Sequence, residues 1–229
     1  MNVRDRTRGL LPFLALGVAG WLFDLIRLRD PVPASVASGF YDGQVTVHLL
    51  GFPSGVQATG LWPGTLLGLR LPYLLEVLGL YLALHAAAAV AAGLAYSRLL
   101  PDAPHPTPAV YARLFGVALL ATALVHPLFA VASVEFLLVV VYVPVLVFGI
   151  LPRLLLVGPV LVAERVGVRA AWHAANRRLA DQHGRVVVGL LLVGVAADAL
   201  VCAPMAGGFF GTAGGGFAYA VLAARAYVA

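Results

Sequence analysis

The stretch "RLLLVGPVLVAERVGVRAAWHAANRRL", Arg153–Leu179, joins an apolar run to a cationic segment and decides how the chain is arranged. After Arg153 the residues are apolar for about ten positions, whereas a membrane-spanning helix needs roughly 20. Pro159 also interrupts the hydrogen-bond pattern of a helix. The first half of the stretch is therefore predicted to be embedded or re-entrant.

The second half reads as an amphipathic helix within residues 164–185. On a 3.6-residue period its apolar positions fall on one stripe, with most arginines off it. The stripe consists of Val168, Ala171, Trp172, Ala175 and Leu179. Such a helix lies at a membrane interface, with Trp172 toward the acyl chains and guanidinium groups at the headgroup phosphates. The candidate residues for binding anionic lipid or a partner are Arg165, Arg169, Trp172, Arg177, Arg178 and Arg185. The alternative is a cytoplasmic connector whose arginines only fix topology.

Composition places the whole chain in a bilayer. Of its 229 residues, 62% are hydrophobic and 11% are charged, against about 25% charged residues in an ordinary soluble domain. We expect a single integral membrane domain over residues 1–229, an all-α polytopic helix bundle with about six spans. An interfacial helix is expected between spans four and five, in a basic segment at 153–185.

The apolar runs give the bounds of the predicted spans. They are Leu10–Ile26, Leu71–Tyr96, Val110–Val131, Phe136–Leu151, Val186–Met205 and Phe209–Val228. The first run is a retained signal anchor or a signal peptide with a cleavage site at Ser35–Ala37. Charged residues and a long separation lie between that site and the apolar run, which favours retention. Residues 27–69 form the predicted outer loop.

The basic residues orient this arrangement. All fifteen are arginine, and twelve of them lie on the cytoplasmic side if the N-terminus is inside. Cytoplasmic flanks carry the excess of basic residues. The prediction is a plasma-membrane protein of a prokaryote with both termini in the cytoplasm.

The pattern within Arg153–Leu179 resembles the membrane domain of the glycerophosphoryl diester phosphodiesterase membrane-domain family. The shared features are an arginine that opens an apolar run, a proline within it, Glu-x-x-Gly, small residues and then basic residues. Here these are Arg153, Pro159, Glu164, Gly167, Ala170, Ala171 and Arg177. The chain departs from the family in having Ala175 where a serine is frequent. The resemblance implies a fold and not a catalyst, because the family's phosphodiesterase chemistry belongs to a separate soluble barrel.

Ionisable residues within apolar segments are costly to bury and mark candidate sites. A possible intramembrane polar site consists of Glu76, His85, His126, Glu135 and Asp198. Glu76 and His85 are nine residues apart and about half a turn out of phase, so such a site has to form between helices.

Other motifs narrow the functional classes. Gly207, Gly211 and Gly215 follow the small-xxx-small spacing that lets helices approach closely. Metal-ligand and hydrolase motifs are absent, so we expect no metal, no cofactor and no enzyme activity. No basic patch with interleaved aromatic residues points to nucleic acid. The expected role is a non-catalytic scaffold, accessory or lipid-associated protein, in contact with anionic headgroups and with a second copy or another membrane protein. A small transporter or channel using Glu76, Asp198 and a histidine is the alternative.

Overall fold

A computed structural model describes residues 3–29, 71–131, 136–201 and 207–229. These ranges are helices joined by short turns, and no strand occurs within them. The all-α prediction is therefore confirmed for the described part of the chain. The predicted outer loop at 27–69 lies almost entirely outside it, as does Glu135.

Nine α-helical elements follow one another in the described ranges. Their bounds are α1 Val3–Arg29, α2 Leu71–Leu99, α3 Pro108–Val131, α4 Phe136–Pro144, α5 Leu151–Glu164, α6 Val168–Leu179, α7 His183–Val201, α8 Gly207–Phe210 and α9 Gly216–Val228. Two π-helical segments, Val145–Ile150 and Gly211–Gly215, join α4 to α5 and α8 to α9.

The chain runs as one helix from Phe136 to Glu164, which corrects the predicted end of span four at Leu151. No separate embedded segment begins after Arg153. Within the π-helical segment the N–H of Leu151 donates to the carbonyl of Leu146, five residues back. Pro159 lies buried inside α5 without ending it. Neighbouring helices and side chains can satisfy the groups that a proline releases in a buried helix, so the proline does not mark a boundary.

The turn between α5 and α6 has a defined geometry. Arg165 ends α5 with a left-handed backbone, φ 52°, which is a common way to terminate a helix. Gly167 is extended and precedes α6. α6 and α7 then meet at 104°.

α5 occupies the centre of the bundle. It packs against α2, α3, α6 and α9, and most of its side chains are buried. α1 packs against α2 and against α8 and the segment that follows it, so α1 belongs to the same core. Phe13 and Leu16 of α1 are nearly inaccessible.

Two described helical stretches are long and apolar enough to cross a membrane, Leu82–Leu99 and Val140–Glu164. A third is obtained if the bent pair formed by α6 and α7 counts as one span. The stretches Thr7–Ala19 and Pro108–Leu124 are apolar but shorter. Among the described residues the number is thus below the six predicted.

Candidate functional site

At one end of the bundle, arginine side chains donate hydrogen bonds to backbone carbonyls of neighbouring helices and connections. Arg98 at the end of α2 donates to the carbonyl of Arg8 in α1, at 2.9 Å. Arg165 donates to the carbonyl of His105, in the connection between α2 and α3, at 2.9 Å. Arg113 of α3 donates to the carbonyl of Val166 at 3.0 Å. Arg113 and Arg165 thus hold the turn between α5 and α6 against the neighbouring helix and connection, and Arg98 joins α2 to α1.

Glu164 is the centre of a second set of contacts at the same end. Its carboxylate pairs with Arg178 of α6 at 3.1 Å and accepts a hydrogen bond from the Tyr227 hydroxyl at 3.3 Å. Arg178 also donates to the carbonyl of Tyr227 and lies 4.1 Å from its ring centroid. The N–H groups of the Gln182 amide donate to the carbonyls of Arg178 and Ala226. Together these contacts attach α6 and α9 to the end of α5.

Arg153 lies near the start of α5, away from the end that carries Glu164. Its Nε donates to Oδ1 of Asn176 in α6 at 2.5 Å, and another of its nitrogens donates to the carbonyl of Gly149 in the π-helical segment. A charged side chain in an apolar helix thus finds two oxygen partners, as a partly buried cation requires. Of the predicted family-motif residues, Arg153 and Glu164 bond to α6, Pro159 is buried in α5 and Gly167 precedes α6.

The apolar stripe of α6 faces the protein. Ala171, Ala174, Ala175 and Leu179 are buried, and α6 packs on α5. Trp172 is half-buried against the core, whereas Val168 is 41% exposed. Ala171, Ala175 and Leu179 of the predicted stripe are therefore covered by the same chain, whereas Trp172, which was predicted to meet acyl chains, is covered only in part.

The predicted lipid- or partner-binding arginines fall into two groups. Arg165 and Arg178 bond to the protein itself. Arg169, Arg177 and Arg185 are exposed, and none of their side chains has a hydrogen bond or ion pair with the described residues. The sequence did not separate these groups, because the partners of Arg165 and Arg178 are mostly backbone carbonyls of distant residues.

One residue of the predicted intramembrane polar site is fully described. His85 of α2 is buried, and its Nε2 lies 3.0 Å from the hydroxyl oxygen of Thr122 in α3. The side chains of Glu76, His126 and Asp198 lie outside the described part, like Glu135, so the structure does not test whether these groups meet. Among described residues no group of three possible metal ligands occurs.

The glycines of the small-xxx-small series, Gly207, Gly211 and Gly215, lie at the start of α8 and in the second π-helical segment. Gly211 and Gly215 are buried, while the burial of Gly207 is not described. A Cβ on Gly215 would lie 2.8 Å from the Cβ of Ala197 in α7. The contact is within the bundle and joins α7 to the second π-helical segment.

The bundle contains a central cavity of about 70 Å³ that the sequence did not predict. Small side chains of α2, α3, α5 and α9 surround it, together with Phe13 of α1 and two tyrosines, Tyr96 and Tyr219. The signal was present in the alanine-rich run at residues 85–96, whose side chains are too small to fill the space between helices.

No family model, no curated protein and no solved structure matches this chain. The resemblance of residues 153–179 to the phosphodiesterase membrane domain therefore stays a prediction from sequence. Function has to be argued from the residues and contacts described above.

Proposed function

We propose that the chain is a multi-pass integral membrane protein with a non-catalytic scaffold, accessory or lipid-associated role. The observation that carries this proposal is the apolar outer surface of the bundle. Large apolar side chains are exposed along α1, α2, α3, α4 and α7, with Val195 at 70% and Leu192 at 66%. Soluble monomers rarely expose apolar patches of such extent, whereas lipid tails solvate them.

An arrangement of six membrane-crossing segments agrees with the positions of the helix ends, because successive segments start and end alternately at the two ends of the bundle. The start of α1 meets the end of α2, the start of α3 meets the end of α5, and the residue before α7 contacts the end of α9. All these ends carry arginines, and the excess of basic residues marks the cytoplasmic side. We therefore place this end, and both termini, in the cytoplasm.

Retention of α1 is part of the proposal. Phe13 lines the central cavity, and a Cβ on Gly17 would lie 2.9 Å from the Cβ of Ala213. A helix packed this closely into the core supports the signal-anchor interpretation.

Topology is tested by labelling single cysteines with a membrane-impermeant maleimide. Cys202 is the only native cysteine, so a Cys202→Ser background carries either Ala170→Cys on α6 or Gly55→Cys in the predicted outer loop. We expect Ala170→Cys to react only in inside-out vesicles and Gly55→Cys only in right-side-out vesicles. Reaction of both from the same side would overturn the proposed topology.

A small transporter or channel is the second candidate, and the buried His85–Thr122 contact between α2 and α3 favours it. Flux in liposomes that falls in both Glu76→Gln and Asp198→Asn would establish it. No flux for any ion tested would leave the scaffold role in place, whereas flux that survives in both variants would show transport that does not depend on Glu76 and Asp198.

A further inference from the structure

One face of α6 carries two arginines and a histidine whose side chains lie on the outside of the bundle. Arg169, His173 and Arg177 are exposed and follow one another at four-residue intervals. Residues at this spacing lie one above the other on a helix, so the three side chains form a row on one face. Neither arginine side chain of the row has a hydrogen-bond or ion-pair partner among described residues.

The row lies opposite the buried face of the same helix. At about 100° per residue, His173 is diametrically opposite the midpoint between Ala171 and Ala175. Both alanines are inaccessible and pack toward α5. The helix is therefore fixed to the bundle along one face and presents Arg169, His173 and Arg177 outward along the other.

The direction of α6 places this row along the membrane surface. α7 runs beside α9 and the π-helical segment before it, with Gly189 of α7 against Leu222 of α9 and Ala197 of α7 against Gly215 of the π-helical segment. α6 meets α7 at 104°, so it crosses the end of the bundle almost at right angles to the spans. In a membrane-embedded bundle such a helix runs parallel to the bilayer plane, and its outward face meets the headgroups around the protein.

From this geometry we infer that the row Arg169–His173–Arg177 binds the phosphate of anionic lipid headgroups. The inference rests on the proposed membrane location. Guanidinium groups match phosphate oxygens in geometry and charge, and α6 contains no acidic residue to compete. Because Ala171, Ala175 and Leu179 are already covered, binding is electrostatic and does not require insertion of the helix.

The test is a binding titration of the detergent-solubilised full chain with short-chain phosphatidic acid. The variant is Arg169→Gln/Arg177→Gln. The matched control is Arg8→Gln/Arg225→Gln, which removes the same charge from two exposed arginines that lie at the same end of the bundle and outside α6. We expect about fivefold weaker binding or more in the first variant and less than about a twofold change in the control. Equal loss in both variants, or no loss in the first, would overturn the inference.

A second measurement needs no variant. Raising the salt from about 50 mM to about 500 mM should weaken binding of phosphatidic acid to the unaltered chain severalfold, because exposed charges are screened. Salt-independent binding would contradict the electrostatic mechanism.

Two further outcomes identify a different ligand. Inorganic phosphate that displaces phosphatidic acid at equal concentration would show a site for free phosphate and not for a headgroup. A protein that co-purifies from the native membrane with the unaltered chain, but not with Arg169→Gln/Arg177→Gln, would make the row a protein interface. The titration does not depend on which end faces the cytoplasm, so its failure and failure of the topology proposal are distinguishable.

Discussion

α5 and α7 are both apolar, yet the fold uses them differently. α5 is buried on nearly all sides at the centre of the bundle, whereas α7 exposes Val188, Leu192 and Val195 along its outer face. Both have the composition of a membrane helix, so hydrophobicity alone does not say which of them is central. The difference arises from neighbours: α5 meets helices on several sides, and α7 meets them mainly on one. Four substitutions test this contrast, in order of decreasing expected effect.

Leu156→Ala in α5 should have the largest effect. Leu156 is fully buried, and truncation of a buried leucine costs about 2–5 kcal/mol because a cavity remains. Leu192→Ala in α7 is the control, and we expect a change below about 1 kcal/mol at this exposed position. Unfolding in mixed detergent micelles measures both. Equal effects would mean that the two helices are equally buried and would abolish the contrast.

Gly215→Ala tests the close contact of α7 with the second π-helical segment. An added Cβ would lie 2.8 Å from the Cβ of Ala197, and a neighbour of this kind cannot rotate away, so the backbone has to shift. Overpacking typically costs about 1–3 kcal/mol. Gly116→Ala in α3 is the control, since nothing lies within 4 Å of its Cβ position. A Gly215→Ala protein that melts at or above the temperature of the unaltered protein would disprove the contact.

Arg153→Met asks whether the cation in the central helix stabilises the bundle. The substitution keeps an apolar stem but leaves Oδ1 of Asn176 and the carbonyl of Gly149 without their donor. We expect a loss of about 1–3 kcal/mol, whereas Arg169→Met, at an exposed position, should be nearly neutral. If Arg153→Met proves as stable as the unaltered protein in the same unfolding assay, Arg153 does not hold α6 on α5.

Glu164→Gln should have the smallest effect. The pair with Arg178 is partly solvated, with 39% and 33% of the side-chain surfaces exposed, and exposed pairs contribute less than about 1 kcal/mol. The amide oxygen can still accept the hydrogen bond from Tyr227. A loss of more than about 2 kcal/mol in thermal unfolding would show that this end of α5 is as critical as its centre.

Much of the helical arrangement could be predicted from sequence. The apolar run that begins at Leu71 and the proline-rich connection before Pro108 placed α2 and α3 nearly as the structure has them. Their ends are marked by residues that cannot continue a helix, such as Pro101 and Pro104. The same rule misled at Pro159, which lies buried inside α5 without ending it. The sequence also did not show that the Arg153 side chain has a partner in Asn176 of α6.

The candidate site was predictable only in part. The sequence located the arginines between residues 153 and 185 and the stripe that contains Ala171, Ala175 and Leu179. The sequence could not show that this stripe packs on α5, because the spacing of apolar residues predicts an apolar face but does not identify the element that covers it. Nor could it assign Arg178 to Glu164 and Tyr227, which are 14 and 49 residues away.

The π-helical segment Val145–Ile150 sets the rotation of α4 about the helix axis relative to α5. Its wider turn accommodates an additional residue, and each residue turns a helix by about 100°. Removing one residue there would restore ordinary helical phase and rotate α4 relative to α5. Val140 and Val141, which now point away from the bundle, would swing toward a different side. The number of residues in this segment, more than their identity, therefore determines which side of α4 faces away from the bundle.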